Sequence, residues 1–325
     1  MRAAVVESVG SPPVPAEAPE PERAEGTALV AVMTAPLNPV EIRVAAGGHT
    51  RQPQPPYVPG LEGVGTVVES LRVEAGTRVR FESSALPGFG ADGTLAARAA
   101  VPDESLVELP DDVGDDAAAA VGVVGITALL ALERAAPAGG ERVLVLGATG
   151  AVGQMAVQLA KLMGAGRVVA AGRSAERLER ARELGADEVV ELRGGEDAMA
   201  DAFERAAGGQ IDIVIDPLWG APAVAALRAI ATGGRLVNVG QSAGTDVRLP
   251  LETVRNRQGA IHAISSGWTP LERKARAYRR LLEELAAGRL RVEREVVPLD
   301  EVGTAWQRQE TSPGTKLVVA VGQPA

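Results

Sequence analysis

The second half of the chain alternates short apolar runs with segments of helical periodicity, and this alternation limits the possible folds more than any other feature. Six apolar runs begin near residues 143, 168, 188, 211, 235 and 260. Short runs of this kind are typical of strands buried on both faces. Strands that alternate with helices build a parallel sheet covered by helices on both sides. The pattern therefore predicts a doubly wound α/β domain.

A glycine-rich segment directly follows the first of these strands. It reads Gly147-Ala-Thr-Gly150-Ala-Val-Gly153, a variant of the dinucleotide-binding fingerprint with alanine in the first glycine position. Small residues here let backbone N–H groups and the next helix N-terminus approach a pyrophosphate. The alternative is an ordinary glycine turn in another α/β fold. The residues expected to contact the pyrophosphate are Ala148, Thr149, Gly150, Ala151, Val152 and Gly153.

The end of the second predicted strand indicates which dinucleotide is bound. NAD-binding sheets usually place an acidic residue there, which accepts a hydrogen bond from the ribose 2′-hydroxyl. No acidic residue lies between residues 147 and 175, and the position holds Gly172-Arg173-Ser174, with Arg177 one helical turn later. Arginine and a hydroxyl suit a 2′-phosphate, so the sequence predicts NADPH rather than NADH. The alternative is that both arginines are solvated surface residues.

Composition excludes several kinds of site and partner. The 325 residues contain no cysteine and only two histidines, which excludes thiol nucleophiles, iron–sulfur clusters and cysteine-ligated zinc. The net charge of −9 opposes nucleic acid and anionic membranes. The longest uncharged apolar stretch, residues 117–132, is too short for a membrane span and predicts a buried helix. We expect a cytoplasmic protein, because the first residues show no signal-peptide core.

The two ends of the chain differ from the middle. Up to about residue 110 the chain is rich in Pro and Gly, with apolar runs at residues 28–32, 64–68 and 78–81, which predicts a β-rich unit. A long amphipathic helix over residues 270–287 precedes a tail with two strand-like runs around one short helix. Because no α/β unit follows, we expect the tail to pack on the N-terminal domain.

Six segments, taken in chain order, form a recognisable set: Leu37-Asn-Pro-Val-Glu41, Pro56-Tyr-Val-Pro-Gly-Leu-Glu-Gly-Val-Gly65, Gly125-Ile-Thr-Ala-Leu129, Val145-Leu-Gly-Ala-Thr-Gly-Ala-Val-Gly153, Gly233-Gly-Arg-Leu-Val-Asn-Val-Gly240 and Gly314-Thr-Lys316. With these segments the chain resembles, over essentially its whole length, the zinc-free quinone oxidoreductase branch of the medium-chain dehydrogenase/reductase superfamily. The resemblance implies a GroES-like β-rich domain at residues 1–115 and 290–325 and a Rossmann domain at residues 116–289, with the active site in the cleft.

The chain departs from the zinc-dependent relatives where they bind metal. Their metal-binding histidine lies in a Gly-His-Glu motif, which here reads Gly60-Leu61-Glu62, and their cysteine ligand near Asn38 is also missing. Leucine cannot ligate zinc, so the resemblance implies a reaction without metal. Without a Lewis acid to stabilise an alkoxide, the expected acceptors are quinones and α,β-unsaturated carbonyls.

Three catalytic candidates follow from the resemblance. Asn38 matches an asparagine near the nicotinamide ribose and substrate carbonyl, where its amide can donate to an oxyanion. Tyr57 matches a pocket tyrosine, and His49 falls where relatives often place a proton-donating tyrosine. The respective alternatives are a turn residue before Pro39, core packing and an exposed loop histidine.

Cofactor contacts beyond the glycine loop are expected at the ends of predicted strands and at matching segments. Thr127 lies within a predicted buried helix, where its alternative is a hydrogen bond to its own backbone. Ser265 follows the last strand, at the edge where such sheets bind ligands. The full set is Asn38, Thr127, Gly172, Arg173, Ser174, Arg177, Val239, Gly240, Ser265 and Lys316.

The leading hypothesis is an NADPH-dependent reductase of quinones or activated alkenes. An enoyl-thioester reductase is the alternative within the same class, and it would need a basic entrance to which Arg43 and Arg51 contribute. A catalytically idle NADPH-binding regulatory protein is the alternative from a different class. The resemblance also implies a homodimer formed through the strand near residues 260–264, with a small-molecule substrate as the other partner.

Overall fold

The computed structural model describes residues 1–48, 53–83 and 92–322. They form two compact units, one from Met1–Val123 with Thr269–Ala325 and one from Val124–Trp268. The strands are β1 (Arg2–Val5), β2 (Val14–Glu17), β3 (Thr27–Pro36), β4 (Glu62–Glu69), β5 (Arg78–Glu82), β6 (Arg98–Pro102), β7 (Val107–Glu108), β8 (Arg142–Val145), β9 (Arg167–Gly172), β10 (Glu188–Glu191), β11 (Ile211–Asp216), β12 (Ile230–Asn238), β13 (Ala260–Ala263), β14 (Arg294–Pro298) and β15 (Lys316–Ala320). The α-helices are α1 (Pro39–Ala45), α2 (Asp115–Ala135), α3 (Ala151–Leu162), α4 (Ala175–Glu183), α5 (Glu196–Ala207), α6 (Gly220–Arg228), α7 (Leu251–Arg255), α8 (Leu271–Ala286) and α9 (Val302–Glu310).

The second unit is built on a parallel sheet of six strands among the described residues. Its order is β10-β9-β8-β11-β12-β13. Counted from β8, this is the order 3-2-1-4-5-6 of dinucleotide-binding sheets, in which the direction of winding reverses between the first and fourth strands. The predicted doubly wound domain is therefore confirmed, with its switch point between β8 and β11.

Two helices of this unit, α5 and the short α7, were absent from the predicted elements. Helix α5 is polar overall, but Met199, Ala200, Phe203 and Ala207 lie on one face and are buried. They pack into the core cluster that also contains the middle of the sheet. Alanine at two of the four positions weakens the apolar periodicity, which explains why the sequence pattern did not reveal the helix.

The first unit joins the two ends of the chain in one sheet. Its strand order is β14-β15-β3-β4-β5-β7, with β6 also paired to β3, while β1 and β2 form a separate pair. Strand β15 runs antiparallel to β3, with Val318 opposite Pro36, and parallel to β14. The expectation that the C-terminal strands pack on the N-terminal domain is confirmed, and so is the GroES-like plus Rossmann fold class.

The compact units differ from the predicted domain limits at both junctions. Helix α2 spans the first junction, and α8 belongs to the first unit rather than to the Rossmann unit. The Tyr278 hydroxyl on α8 donates to the Ala118 carbonyl at 2.8 Å. Lys274, also on α8, forms a buried ion pair with Glu82 on β5. These contacts attach α8 to the β-rich unit. They could not be predicted from the periodicity of the sequence.

A buried carboxylate accounts for a break in α2. Gly122 has φ of −46° and ψ of −110°, outside helical values. The next N–H group, of Val123, donates to both Glu62 oxygens at 3.0 and 2.9 Å. A β-carbon on Gly122 would overlap the Glu62 carboxylate. The helix is interrupted because glycine leaves room for this carboxylate, which replaces the lost backbone acceptor.

The same helix is long and apolar enough to cross a membrane by length and composition. It has 21 residues and a window of mean hydropathy 1.7. However, 78% of that window is buried inside the protein, as in the core helix of a globular domain. This agrees with the buried helix predicted for residues 117–132.

Arg80 is the centre of a buried ionic chain. Its guanidinium lies 2.8 Å from Glu62 and 2.7 Å from Glu82, and all three side chains are almost completely buried. It also lies over the Tyr278 ring, 5.1 Å from the centroid. The chain of charges connects β4, β5 and α8.

We predict that Arg80→Met lowers the free energy of unfolding by about 3–5 kcal/mol, because it leaves two buried carboxylates short of a counter-charge. Urea unfolding at neutral pH measures this loss. The control is Arg98→Met, which removes a pair to Glu20 whose side chains are 50% and 56% exposed, and which should cost less than about 1 kcal/mol. Equal losses of unfolding free energy in the two variants would contradict a stabilising role for the buried ion pairs of Arg80.

The difference between wild type and Arg80→Met should also depend on pH. Burial alone would raise the pKa of Glu82, but Arg80 and Lys274 outweigh it and hold that pKa below the ordinary 4.5. A carboxyl with a lowered pKa stabilises the fold above its ordinary range and loses this contribution as the pH falls through the folded-state pKa. The destabilisation by Arg80→Met should therefore persist at neutral pH and shrink on acidification. A constant difference would argue against this origin.

Candidate functional site

The glycine-rich loop connects β8 to α3 at the carboxyl edge of the sheet. Gly147 has φ of +60°, in the left-handed region that favours glycine. The Ala148 N–H donates to Ala171 O on β9 at 2.9 Å, which holds the loop against the neighbouring strand. Gly150 is the N-cap of α3, and Ala151 and Val152 form its first turn. The structure thus brings the predicted pyrophosphate-binding residues together.

The last glycine of the motif sets the distance between helix and strand. A β-carbon on Gly153 would overlap the Gly147 carbonyl oxygen and lie 2.6 Å from Ala148 Cα. Gly150 differs, since a β-carbon there would meet Gly147 O at an ordinary 3.5 Å. Glycine at residue 150 is therefore not required by the protein's own packing. Its absent side chain leaves the surface of the loop open to a ligand.

The N-terminus of α3 suits an anion. Its first turn contains no acidic residue, and its N-cap provides no side-chain hydrogen bond. The first N–H groups of a helix have no partner within the helix, and the helix dipole adds positive potential there. Together with the open loop, this end of α3 fits a diphosphate.

The end of β9 lies against the glycine loop. A β-carbon on Gly172 would be 2.8 Å from Thr149 Cγ2, so this strand end and the loop are in direct contact. Ser174 is the N-cap of α4, where its hydroxyl accepts from the Arg177 N–H at 3.3 Å. Arg173 and Arg177 are both exposed. The structure therefore presents Arg173 at the strand end where dinucleotide-binding sheets hold the adenosine ribose.

Two polar residues at the ends of β11 and β12, the buried Asp216 and the partly buried Asn238, were missed by sequence reasoning. Asp216 is completely buried, and burial raises its pKa. Its Oδ1 accepts from the N–H groups of Leu218 and Trp219 at 2.8 and 2.9 Å, and its Oδ2 accepts from Asn238 Nδ2 at 2.8 Å. The sequence feature that could have revealed Asp216 is its position as an acidic residue at the end of an apolar strand.

The other predicted contacts of the second unit lie in different settings. The Val239 N–H donates to Asp216 O at 2.8 Å, and a β-carbon on Gly240 would lie 2.6 Å from Pro217 O, so both residues adjoin the end of β11. Thr127 is buried within α2. Ser265 is exposed after β13, where its carbonyl accepts from a backbone N–H in the following turn.

In the first unit, Asn38 belongs to a buried polar network. It precedes α1, is 2% exposed and donates its backbone N–H to Glu41 Oε2 at 3.0 Å. Its side-chain Oδ1 accepts from Lys316 Nζ at 2.6 Å. Its Nδ2 lies 3.3 Å from Pro36 O and at 3.4 and 3.5 Å from the carboxylates of Glu41 and Glu62. The amide is oriented by the lysine on one side and by acceptors on the other.

Lys316 and Glu41 are the charged members of this network. Lys316 is 2% exposed and also donates to Leu37 O at 2.9 Å. Burial lowers its pKa. Burial raises the pKa of Glu41 to about 7, although hydrogen bonds from Asn38 and the charge of Lys316 favour the carboxylate. The structure thus places Lys316, predicted as a cofactor contact, behind Asn38 as its hydrogen-bond donor.

Tyr57 has a buried hydroxyl without a hydrogen-bond partner among the described residues. Its ring packs against the core of the first unit. Burial, together with the nearby charge of Glu41, raises its pKa to about 12. The phenol is therefore a protonated donor, and a buried donor left unpaired is suited to a ligand acceptor.

The position of the zinc-binding histidine of the wider family holds Leu61. Its backbone N–H donates to Glu41 Oε1 at 2.8 Å. Across residues 1–48, 53–83 and 92–322, no group of three or more His, Cys, Asp or Glu side chains has an arrangement that could hold a metal ion. His49, the third catalytic candidate, lies outside the described residues, as does Arg51.

Comparison with known proteins agrees with this architecture. The family model described as "Alcohol dehydrogenase GroES-like domain" matches residues 24–111, and the one described as "Zinc-binding dehydrogenase" matches residues 151–284. The first lies within the β-rich unit. The second begins at the first turn of α3.

The chain is similar to proteins named quinone oxidoreductase and to proteins named alcohol dehydrogenase. A quinone oxidoreductase of Lama guanicoe is 31% identical over 277 residues, which cover 82% of this chain and 80% of the relative. An alcohol dehydrogenase of Geobacillus stearothermophilus is 28% identical over 334 residues, covering 95% and 96%.

Solved structures extend the similarity to the whole chain. The quinone oxidoreductase from Thermus thermophilus, whose structures include a complex with NADPH, is 32% identical, with a TM-score of 0.77 and coverage of 99% of this chain and 100% of that one. Nicotinamide cofactors are thus bound within this family. The chain therefore belongs to the medium-chain dehydrogenase/reductase superfamily, as an oxidoreductase of the quinone oxidoreductase-like group.

Proposed function

We propose that this protein is an NADPH-dependent oxidoreductase that reduces a quinone or an α,β-unsaturated carbonyl without a catalytic zinc. The observation that carries the proposal is the buried hydroxyl of Tyr57, which has no hydrogen-bond partner among the described residues. It lies close to a network organised by the Lys316 ammonium rather than by metal ligands. A protonated donor suits an acceptor whose oxygen gains negative charge as it is reduced.

The donor set around Leu61 does not fit zinc. A structural or catalytic zinc site takes cysteine, histidine or carboxylate ligands, and the chain has no cysteine and a leucine where relatives place histidine. The nearby carboxylates are already engaged: Glu41 accepts from two backbone N–H groups, and Glu62 accepts from Arg80 and Val123. A reaction that needs no Lewis acid follows from this chemistry.

Asn38 and Tyr57 would have different roles toward the acceptor. Tyr57 would donate from its hydroxyl to the carbonyl oxygen, which its raised pKa allows because the phenol stays protonated. Asn38 would keep a fixed amide orientation, since Lys316 holds its Oδ1 at 2.6 Å. The ammonium behind the amide also polarises it and makes Nδ2 a stronger donor.

The cofactor residues fit a dinucleotide with a 2′-phosphate. When bound, NADPH supplies hydride from its nicotinamide ring. The chain supplies the open loop at Gly150, the uncapped N-terminus of α3, and the exposed Arg173 at the end of β9. A guanidinium there can pair with the phosphate in bidentate geometry, and no acidic residue lies between residues 147 and 175 to take the place of the phosphate.

We also propose a homodimer. Strand β13 is the last strand of the six-stranded sheet, so its outer edge has unpaired backbone groups within the described part of the chain. Pairing with the same edge of a second copy would satisfy them in a twofold arrangement.

The test of the proposed function is oxidation of NADPH and of NADH with a panel of ortho-quinones, para-quinones, 2-alkenals and enoyl-CoA esters. Turnover of a quinone or alkenal with NADPH, unaffected by chelator, is expected. Turnover of the enoyl-CoA esters alone would favour an enoyl-thioester reductase. Tight NADPH binding without turnover of any acceptor would favour a regulatory NADPH-binding protein.

Arg173→Ala should raise the KM for NADPH by about ten-fold or more and leave the KM for NADH nearly unchanged. A hydrogen bond between charged groups contributes about 1.5–3 kcal/mol, and only NADPH has the 2′-phosphate. The matched control is Arg193→Ala, an exposed arginine that pairs with Glu191 and should change neither value. Equal losses with both cofactors would refute the 2′-phosphate assignment.

Tyr57→Phe should lower kcat/KM for the acceptor on the order of 10²-fold, because it removes the donor to the developing oxyanion. The melting temperature should not fall, since the hydroxyl lost has no hydrogen-bond partner in the described structure. NADPH affinity should be retained. A lower melting temperature with unchanged kinetics would instead assign Tyr57 to core packing.

A further inference from the structure

Trp219 has a backbone conformation that residues with a side chain rarely adopt. Its φ is +56° and its ψ is −159°, at the border of a region populated almost only by glycine. It lies three residues after the end of β11 and is the N-cap of α6. The next residue, Gly220, has φ of +68°, and a β-carbon on it would lie 2.8 Å from Ala243 O. The backbone of a bulky aromatic residue is strained in such a turn.

The surroundings of Trp219 hold this strained turn in place. Asp216 Oδ1 accepts from the N–H groups of Leu218 and Trp219 at 2.8 and 2.9 Å, and Asn238 anchors the other carboxylate oxygen at 2.8 Å. The Ala243 N–H also donates to Leu218 O at 2.8 Å. A strained backbone conformation persists only where many neighbouring contacts hold it in place. Such conformations are concentrated at functional sites.

The turn that carries Trp219 lies on the glycine loop. A β-carbon on Gly147 would be 3.0 Å from Leu218 Cδ2 and 3.1 Å from Pro217 Cγ. This contact is at the switch point between β8 and β11, where a doubly wound sheet binds a dinucleotide with one nucleotide on each side. Because Arg173 is on the β9 side, the β11 side is left for the other nucleotide, which carries the nicotinamide.

We propose that the indole of Trp219 contacts the nicotinamide ring of the bound dinucleotide. The side chain is only partly buried: it packs against the core cluster of the second unit and is otherwise accessible. A flat apolar ring is a suitable surface for another flat ring. The inference rests on the proposed dinucleotide binding, and it assigns the strain at residue 219 to the placement of this aromatic surface.

The test compares NADPH with 2′,5′-ADP, which carries the adenosine half alone, by isothermal titration calorimetry. Trp219→Ala should weaken NADPH binding by about ten-fold and leave 2′,5′-ADP binding unchanged, while Trp219→Phe should retain most of the NADPH affinity. Arg173→Ala is the matched control, because it should weaken both ligands. Unchanged NADPH affinity in Trp219→Ala, or an equal loss with both ligands, would overturn the proposal.

A wild-type protein that binds neither NADPH nor 2′,5′-ADP would refute the NADPH assignment and not the role of Trp219. The comparison then uses NADH and 5′-ADP in the same way. Selective loss of NADH affinity in Trp219→Ala would support the contact with nicotinamide, and an equal loss would overturn it.

Trp219→Gly separates a ligand contact from a role in the turn. Glycine accepts the positive φ and alanine does not, so Trp219→Gly should melt at least about 2 °C above Trp219→Ala. Both variants lack the indole and should lose the same NADPH affinity. If affinity instead follows stability, and Trp219→Gly binds NADPH like the wild type, the indole has only a structural role and the proposal fails.

Discussion

The buried Glu62 carboxylate is the interaction on which most of the first unit depends. It accepts from Arg80 on β5 and from Val123 in α2, and it lies at 3.5 Å from the Asn38 amide. An isolated buried carboxylate would be strongly unfavourable, so each of these partners has to be present. The break in α2, the charge chain to α8 and the orientation of Asn38 therefore belong to one electrostatic arrangement.

The glycine-rich loop of the second unit is shaped by close backbone contacts. Glycine at residue 153 lets α3 approach the loop, and glycine at residue 172 lets β9 meet Thr149. The result is a surface of backbone N–H groups and a helix N-terminus that suits a dinucleotide. Two charged residues of the candidate site, the exposed Arg173 and the buried Asp216, lie at the ends of β9 and β11.

Solved structures named alcohol dehydrogenase and quinone oxidoreductase both share the fold of this chain. The loop at residues 147–153 requires small residues where the backbone segments are in close contact, so few substitutions fit there. The contacts near Leu61 depend on individual side chains, among them the Glu41 carboxylate that accepts from the Leu61 N–H at 2.8 Å. In this chain, the lysine at residue 316 supplies the positive charge of the network.

Much of the fold follows from the sequence alone, because strand and helix periodicity and glycine loops are local properties of the chain. The six strands of the second unit, the loop at residues 147–153 and the return of the tail were predicted on this basis. Helix α5, the attachment of α8, and the pairing of Asn38 with Lys316 were not. Asn38 and Lys316 are 278 positions apart, and Trp219 shows its strain only in its backbone angles. Such features arise when distant segments pack together and enclose polar groups that must then find partners, so only the tertiary structure decides them.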